Sequence, residues 1–332
     1  MRRGRENGRK RTENGMLKEY GFYKGINLGG WLSQCDYSAE RLDGFIGEED
    51  FRRIAGWGLD HVRLPVDYEV VQRDDGSMIE EGLKRIDRAL GWAEKYGLHT
   101  VLDLHKTRGF SFSPRATEKG CFENGTYQRF FYAAWECFAK RYAPLGGGIM
   151  FDLLNEITLR EYLEPWKAIS REARDRIRAR APEALILLGS YNWNSAGTVP
   201  ELPAPYDARV AYTFHFYDPH DFTHQGAHWE AGQRDISKRF TYAESGASQE
   251  SMEAIVAPAV RKAAEEKAGL YCGEYGVIDV VPPAEAVKWF RDVHAVFEKH
   301  GVSRSLWNYK GKDFGFLDES YDDVREEMLT LF

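Results

Sequence analysis

The chain is 332 residues long, 43% hydrophobic and 29% charged, which is an ordinary globular composition with material for one large core. Its net charge of −7 and pI near 5.8 argue against nucleic acid or an anionic lipid surface as a partner. No apolar run reaches the roughly 18 residues of a spanning helix, so no membrane partner is expected either.

The first eleven residues gather Arg2, Arg3, Arg5, Arg9, Lys10 and Arg11, and residues 2–15 hold no apolar side chain besides glycine. Such a stretch is neither a signal peptide nor an anchor. Residues 1–21 are therefore expected to be a basic, disordered tail and the location cytoplasmic, with an extracellular one left open by a trimmed start. The four cysteines, Cys35, Cys121, Cys137 and Cys272, form no metal-type spacing and read as free thiols.

From residue 22 onward, short apolar runs alternate with longer stretches of helical period. The runs are YKGINL (23–28), DHVRLPV (60–66), HTVLDLH (99–105), IMFDLLNE (149–156), ALILLG (184–189), RVAYTFHFY (209–217), GLYCGEYG (269–276) and SRSLWNY (303–309). None keeps a strict polar and apolar alternation, so each predicts a strand covered on both faces, the mark of a parallel sheet. Between them, Leu83, Ile86, Leu90 and Ala93 share one helix face. So do Tyr127, Phe131, Ala134 and Phe138, then Leu163, Trp166, Ile169, Ala173 and Ile177, and later Val287, Phe290, Val293 and Phe297. Eight strand-helix units predict a (β/α)8 TIM barrel, an α/β fold forming a single domain over residues 22–332. A doubly wound sheet would want G-x-G-x-x-G after its first strand, where Asn27-Leu28-Gly29-Gly30-Trp31 stands instead. The fifth helix is hidden, because residues 190–208 are rich in Pro, Asn and Gly. Residues 218–250 form a lid-like insertion between strand six and its helix.

The strands of such a barrel finish in one cleft. Their ends carry Asn27, Arg63, His105, Asn155, Glu156, His215, Tyr217, Glu274 and Trp307. Glu156 and Glu274 come from strands four and seven, which face each other across the barrel. Two converging carboxylates without metal-ligand spacing suit glycoside hydrolysis, with no metal and no cofactor required. The surplus of aromatic residues, 9 Trp and 18 Tyr, suits the flat faces of sugars.

With these motifs in place, residues 22–331 resemble glycoside hydrolase family 5. Arg63 stands in HVRLPV, His105 in LDLH, Asn155-Glu156 in DLLNE, His215 and Tyr217 in FHFY, Glu274 in CGEYG and Trp307 in LWNY. The phrases GINLGGW, YTFHFYDP, FTHQGAHW, LYCGEYGV and WNYKGKDFG are most similar to a bacterial endoglucanase branch without a signal peptide. The resemblance implies a retaining, endo-acting β-glucanase, working on β-1,4 and mixed-linkage glucan polysaccharides or oligosaccharides. It implies Glu274 as nucleophile, oriented by Tyr217 and kept ionised by Arg63, and Glu156 as acid and then base, supported by His215. Asn155 would reach the sugar 2-hydroxyl, His105 the sugar at the cleavage point, and Trp307 would floor it. Exo-1,3-glucanase, mannanase or another β-glycosidase on the same machinery are the alternatives. A non-catalytic carbohydrate-binding barrel is a remoter one, since it would tolerate loss of Glu156, Glu274 or Arg63, all of which are present.

Some positions depart from the family pattern. Lys106-Thr107-Arg108-Gly109 puts two extra cations after His105, and Asn155-Glu156 is followed by Ile157 where relatives have Pro. His215, His220, His224 and His228 crowd one segment. A spacing of four would suit zinc on a helix, but Pro219 and Gly226 interrupt it, so a cleft wall with Trp229 as a sugar platform is expected. Trp31, Trp193, Lys310 and Asp313 complete the candidate sugar contacts. A monomer is expected, as no exposed heptad pattern is present.

Overall fold

Each of the eight apolar runs coincides with a parallel strand to within a few residues: β1 (Lys24–Asn27), β2 (His61–Asp67), β3 (His99–Lys106), β4 (Ile149–Asp152), β5 (Leu185–Leu188), β6 (Val210–Phe216), β7 (Leu270–Tyr275) and β8 (Ser303–Leu306). In the computed structural model, which describes residues 16–113, 118–234 and 239–332, they pair in sequence order and β8 closes onto β1. The expected (β/α)8 barrel is therefore the fold. The arginine-rich stretch at 2–11 lies outside the described residues.

The four predicted helix faces belong to helices Glu80–Lys95, Gly125–Tyr142, Leu163–Arg178 and Pro283–His300, and the apolar residues named for them pack inward with one exception, the half-buried Tyr127. Pro283 at the first helical position and Gly301 at φ 64° past the end give the last of these both of its boundaries. Helices Glu48–Gly56 and Gln249–Glu266 serve the first and sixth crossovers. The fifth crossover holds no long helix. A turn at Tyr191–Asn194 and a 3-10 segment at Ala196–Glu201, interrupted by Pro200, take its place, and the 3-10 segment packs on helix Gln249–Glu266. Among the described residues no helix is long and apolar enough to cross a membrane.

Alternate residues of each strand divide between two cores. Leu102, Leu104, Phe151, Ile186, Phe214 and Tyr275 point outward to the helices, while Val101, Met150, Leu185, Leu187, Ala211 and Tyr271 fill the barrel floor. Leu17 and Phe22, both fully buried, belong to that floor. This corrects the tail boundary drawn at residue 21. Residues 16–21 begin with the helix Met16–Glu19, which turns Leu17 into the open bottom of the barrel, where burying a leucine is worth about 1.5–3 kcal/mol.

The insertion at 218–250 is stitched to the barrel. Trp289 Nε1 donates to the Asp218 carbonyl at 2.9 Å, the Tyr242 hydroxyl to Asp292 at 2.6 Å, and the Ile278 N–H to the Thr223 carbonyl at 2.9 Å. Phe222 and Ala227 are fully buried within it.

Candidate active site

Strand geometry aims the polar residues before any contact is made. On β3 the period of two puts Asp103 and His105 inside with Val101. On β7 that alternation would send Glu274 outward with Cys272, but the register against β6 runs Phe214 to Cys272 and then His215 to Glu274. Gly273 is an extra residue, a bulge that returns Glu274 to the interior beside His215. A Cβ on Gly273 would lie 3.0 Å from His215 Nε2 and 3.2 Å from Thr213 Oγ1, so any larger residue in the bulge would press on His215. β4 ends at Asp152, and the Asn155 N–H continues its pairing by donating to the Leu104 carbonyl at 3.2 Å.

Arg63, fully buried, ties these ends together. Its Nη1 donates to Asn27 Oδ1 at 2.9 Å and to Glu274 Oε1 at 3.0 Å. Its Nη2 donates to Asn155 Oδ1 at 2.8 Å and to Asp152 Oδ2 at 3.0 Å, and lies 3.1 Å from Asp103 Oδ2. Nε donates to Asp152 Oδ2 at 3.1 Å. Asn27 gives its amide protons to the carbonyls of Gly273, Ser305 and Leu306, so it is a brace for Arg63 and for the β7–β8 ends. With Asn155 Oδ1 taken by Arg63, Nδ2 is the end of that amide free to donate elsewhere.

Glu156 and Glu274 are nearly buried, and one carboxylate oxygen of each lies within 4.8 Å of the other. His215 Nδ1 stands between them, 2.8 Å from Glu156 Oε1 and 3.7 Å from Glu274 Oε2. The Tyr217 hydroxyl donates to Glu274 Oε2 at 3.0 Å. Burial pushes the Glu156 pKa up to about 8, with Arg63 opposing and Asp103 adding to the rise. Burial lowers His215 and His105 to about 4, so both rings are neutral at pH 7. A carboxyl that keeps its proton beside one anchored by Arg63 and Tyr217 is an arrangement able to give a proton on one side and a nucleophile on the other.

His105 Nδ1 meets Asp103 Oδ2 at 2.7 Å, and its ring lies parallel to Trp307, 5.7 Å between centroids and 2° between planes. Gly29 explains the double glycine before Trp31: a Cβ there would sit 2.5 Å from the Trp307 ring. Asn308 locks the two segments, accepting from the Gly29 N–H at 2.8 Å and donating to its carbonyl at 3.2 Å.

Two members of this group were not singled out from the sequence. Asp103 and Asp152 are fully buried, and burial, opposed by Arg63, raises each to about 7. The signal was an acidic residue inside an otherwise apolar strand, Asp103 on the same face as His105 and Asp152 three residues before Asn155.

The outlying candidates separate. Trp31 has no exposed surface; it gives its indole proton to the Leu42 carbonyl at 2.9 Å and stacks on Trp92, so it is a core residue and no sugar contact. Lys310 is turned to helix Glu48–Gly56, with Nζ 3.2 and 3.3 Å from the Asp50 carboxylate, which corrects its reading as a cleft residue. Asp313 is half-buried after β8, its carbonyl accepting from the Asp279 N–H at 2.7 Å. Trp193 is 45% exposed on a left-handed turn, and its indole donates to the Phe112 carbonyl at 3.3 Å. Trp229 is half-buried against His224 and Phe314. The extra cations are matched: Lys106 Nζ lies 2.6 Å from Glu69 and 3.6 Å from Asp67, and Arg108 pairs with Asp74 at 2.8 Å.

Comparison with known proteins agrees with this geometry. Residues 25–313 match the family model for cellulase, glycosyl hydrolase family 5. The chain is 51% identical over 291 residues to cellodextrinase A of Ruminococcus flavefaciens, covering 87% of this chain and 86% of that one. It is 34% identical over 340 residues to endoglucanase C of Acetivibrio thermocellus, covering 93% and 97%. In fold it superposes on the Cel5A structure of Thermotoga maritima in complex with cellobiose with a TM-score of 0.81, at 23% identity, over 96% of this chain and 99% of that one. The family match runs from the first strand to the loop after the eighth and takes in both buried glutamates. The chain is a glycoside hydrolase and belongs to family 5.

Proposed function

We propose that this enzyme is a retaining, endo-acting β-glucanase that cleaves β-1,4 and mixed-linkage β-1,3-1,4-glucans by double displacement. The observation that carries the reading is the approach of Glu156 and Glu274, with oxygens within 4.8 Å. Retaining enzymes hold the two carboxyl groups about 5–5.5 Å apart, whereas inverting ones leave about 6.5–9.5 Å for a water.

Glu274 attacks the anomeric carbon while Glu156 gives its proton to the departing glycosidic oxygen, leaving a glycosyl ester on Glu274. Glu156, now a carboxylate, takes a proton from water as that water attacks the same carbon and releases Glu274. Arg63 and Tyr217 hold the nucleophile aimed, each donating to one of its carboxylate oxygens. His215 holds Glu156. Asn155 Nδ2 donates to the 2-hydroxyl, a bond that strengthens as the ring acquires oxocarbenium character. His105 and Trp307 form the apolar and hydrogen-bonding floor. The names of the two relatives, a cellodextrinase and an endoglucanase, support a glucan substrate. The more similar one is called a cellodextrinase, which places soluble cello-oligosaccharides beside polymeric glucan among the substrates to try.

The test has two parts. Proton NMR of the first product should show the β-anomer before mutarotation; an initial α-anomer would reject retention. Products followed in time from β-1,4-glucan, mixed-linkage glucan, β-1,3-glucan and β-mannan should include mixed oligomers early from the first two. Monosaccharide alone, or turnover confined to the last two, would reject the endo-β-1,4 reading and keep the carboxylate pair.

A further inference from the structure

The insertion after β6 brings together metal-type side chains that the hydrolytic reading leaves unused. His220 opens the helical turn His220–Thr223, and the His224 N–H donates to the His220 carbonyl at 2.9 Å. Residues four apart on such a turn present their side chains on one face, and the two imidazoles stack with centroids 4.1 Å apart. Glu230, from the following turn, places its carboxylate oxygens 2.9 and 3.2 Å from His220 Nε2. One ligand-type atom from each of the three lies within 4.8 Å of the other two.

The second observation concerns the proton on His224. Thr223 Oγ1 spends its single proton on the Tyr217 carbonyl at 2.5 Å. Its 3.0 Å contact with His224 Nδ1 therefore has the ring N–H donating, which leaves the lone pair on Nε2. Metal-binding histidines are held this way, with one nitrogen fixed by a neighbouring acceptor and the other left to coordinate. The backbone around them is braced, since Gln233 Nε2 donates to Asp221 at 2.7 Å and the Gly226 N–H donates to the Gln233 carbonyl at 2.7 Å. The His220 side chain is half exposed, so an ion has access.

We infer that His220, His224 and Glu230 form a binding site for one divalent transition-metal ion of the zinc type, with its fourth position open to water. Two imidazoles and a carboxylate suit zinc, whereas calcium and magnesium favour all-oxygen sets. The ion would clamp the first turn of the insertion to the Trp229–Glu230 turn. His224 meets Tyr217 edge-on at 5.0 Å, so the clamp also backs the residue that hydrogen-bonds Glu274.

The experiment uses the full chain, stripped with a chelator and titrated with zinc and with cobalt(II). Calorimetry should show one saturable ion per chain, and cobalt the intense visible absorption of a four-coordinate site. His220→Ala and Glu230→Gln, both outside the hydrolytic group, should each weaken binding by at least about tenfold and abolish the rise in Tm that zinc gives the parent. Glu156, His215 and Glu274 also bring ligand atoms within 4.8 Å, so Glu156→Gln is the control and should leave affinity unchanged. Absence of saturable binding up to about 1 mM ion, or loss with Glu156→Gln and not with His220→Ala, would overturn the site and leave His220 and Glu230 as an ion pair.

Discussion

In the proposed mechanism Glu274 and Glu156 carry the chemistry through different surroundings, and each can be tested by what it loses. Glu274→Gln can still accept from Arg63 through its amide oxygen, with its amide N–H donating to the Tyr217 oxygen in a reversed bond, but it removes the attacking charge, so kcat should fall by at least about 10⁴-fold. Oligosaccharide binding, read by calorimetry, should survive; loss of both would point to misfolding of the site instead. Glu156→Ala should cost about 10²–10⁴-fold on cello-oligosaccharides and far less on aryl glycosides with good leaving groups, because only the former need a proton in transit. Equal damage to both would reject Glu156 as the acid. Since Glu156 must arrive protonated and burial raises it to about 8, kcat/KM should decline as pH rises through about 8. Most of the strand-end candidates stand out in the sequence because they interrupt or close an apolar run near its end, whereas Arg63, third in β2, stands out as a charge inside HVRLPV. Asp103 and Asp152 do not, because an acid among apolar neighbours is explained only once Arg63 is seen beside it. Trp31 and Lys310 misled for the converse reason, since a tryptophan beside two glycines and a lysine beside a strand end look alike whether they face the cleft or the outer layer.

At the scale of elements, two glycines decide whether the strand ends meet. Gly29 has an ordinary φ, so Gly29→Ala tests space alone. Its Cβ would press on the Trp307 ring at 2.5 Å, and overpacking of this kind costs about 1–3 kcal/mol. Urea denaturation should register that loss, and KM for oligosaccharides should rise as Trp307 leaves its place against His105. A variant with unchanged KM would mean that Trp307 does not floor the sugar. Strand positions could be read to within four residues at each end because parallel strands are apolar on both faces. The β7 bulge could not, because nothing in LYCGEYG distinguishes an extra Gly273 from a regular strand until the register against β6 is known. The fifth crossover stayed obscure for a related reason. Its proline and glycine forbid a long helix, and the 3-10 segment that replaces it has no period of its own to recognise.

At the scale of the whole molecule, the barrel has an apolar floor and an ionisable upper half. Leu17→Ala, at the floor, should destabilise the chain by about 2–5 kcal/mol while leaving kcat/KM of the folded enzyme unchanged; a fall in kcat/KM would show that the floor reaches the site. The upper half should make stability depend on pH. Asp103 and Asp152, near 7, and Glu156, near 8, hold protons when folded that they would release near pH 4 when unfolded, so their contribution is largest at low pH and is lost as pH rises through those values. His105 and His215, lowered to about 4, work in the opposite direction, but only until about pH 6.5, where the unfolded rings also become neutral. Between about pH 6.5 and 8 the carboxyl groups therefore act alone. The denaturation midpoint should drop across that interval, and Asp152→Asn should flatten the drop; an identical slope in the variant would reject the assignment.

The arrangement around Arg63 has one more consequence. A single guanidinium faces Asp103, Asp152 and Glu274, with Glu156 nearby, so the resting interior holds more acid than base. Protons held by Asp103, Asp152 and Glu156 offset that excess at rest, and in the proposed double displacement the anomeric carbon acquires positive character. Carboxyl oxygens gathered around that carbon would thus favour the transition state over the uncharged sugar from which it forms.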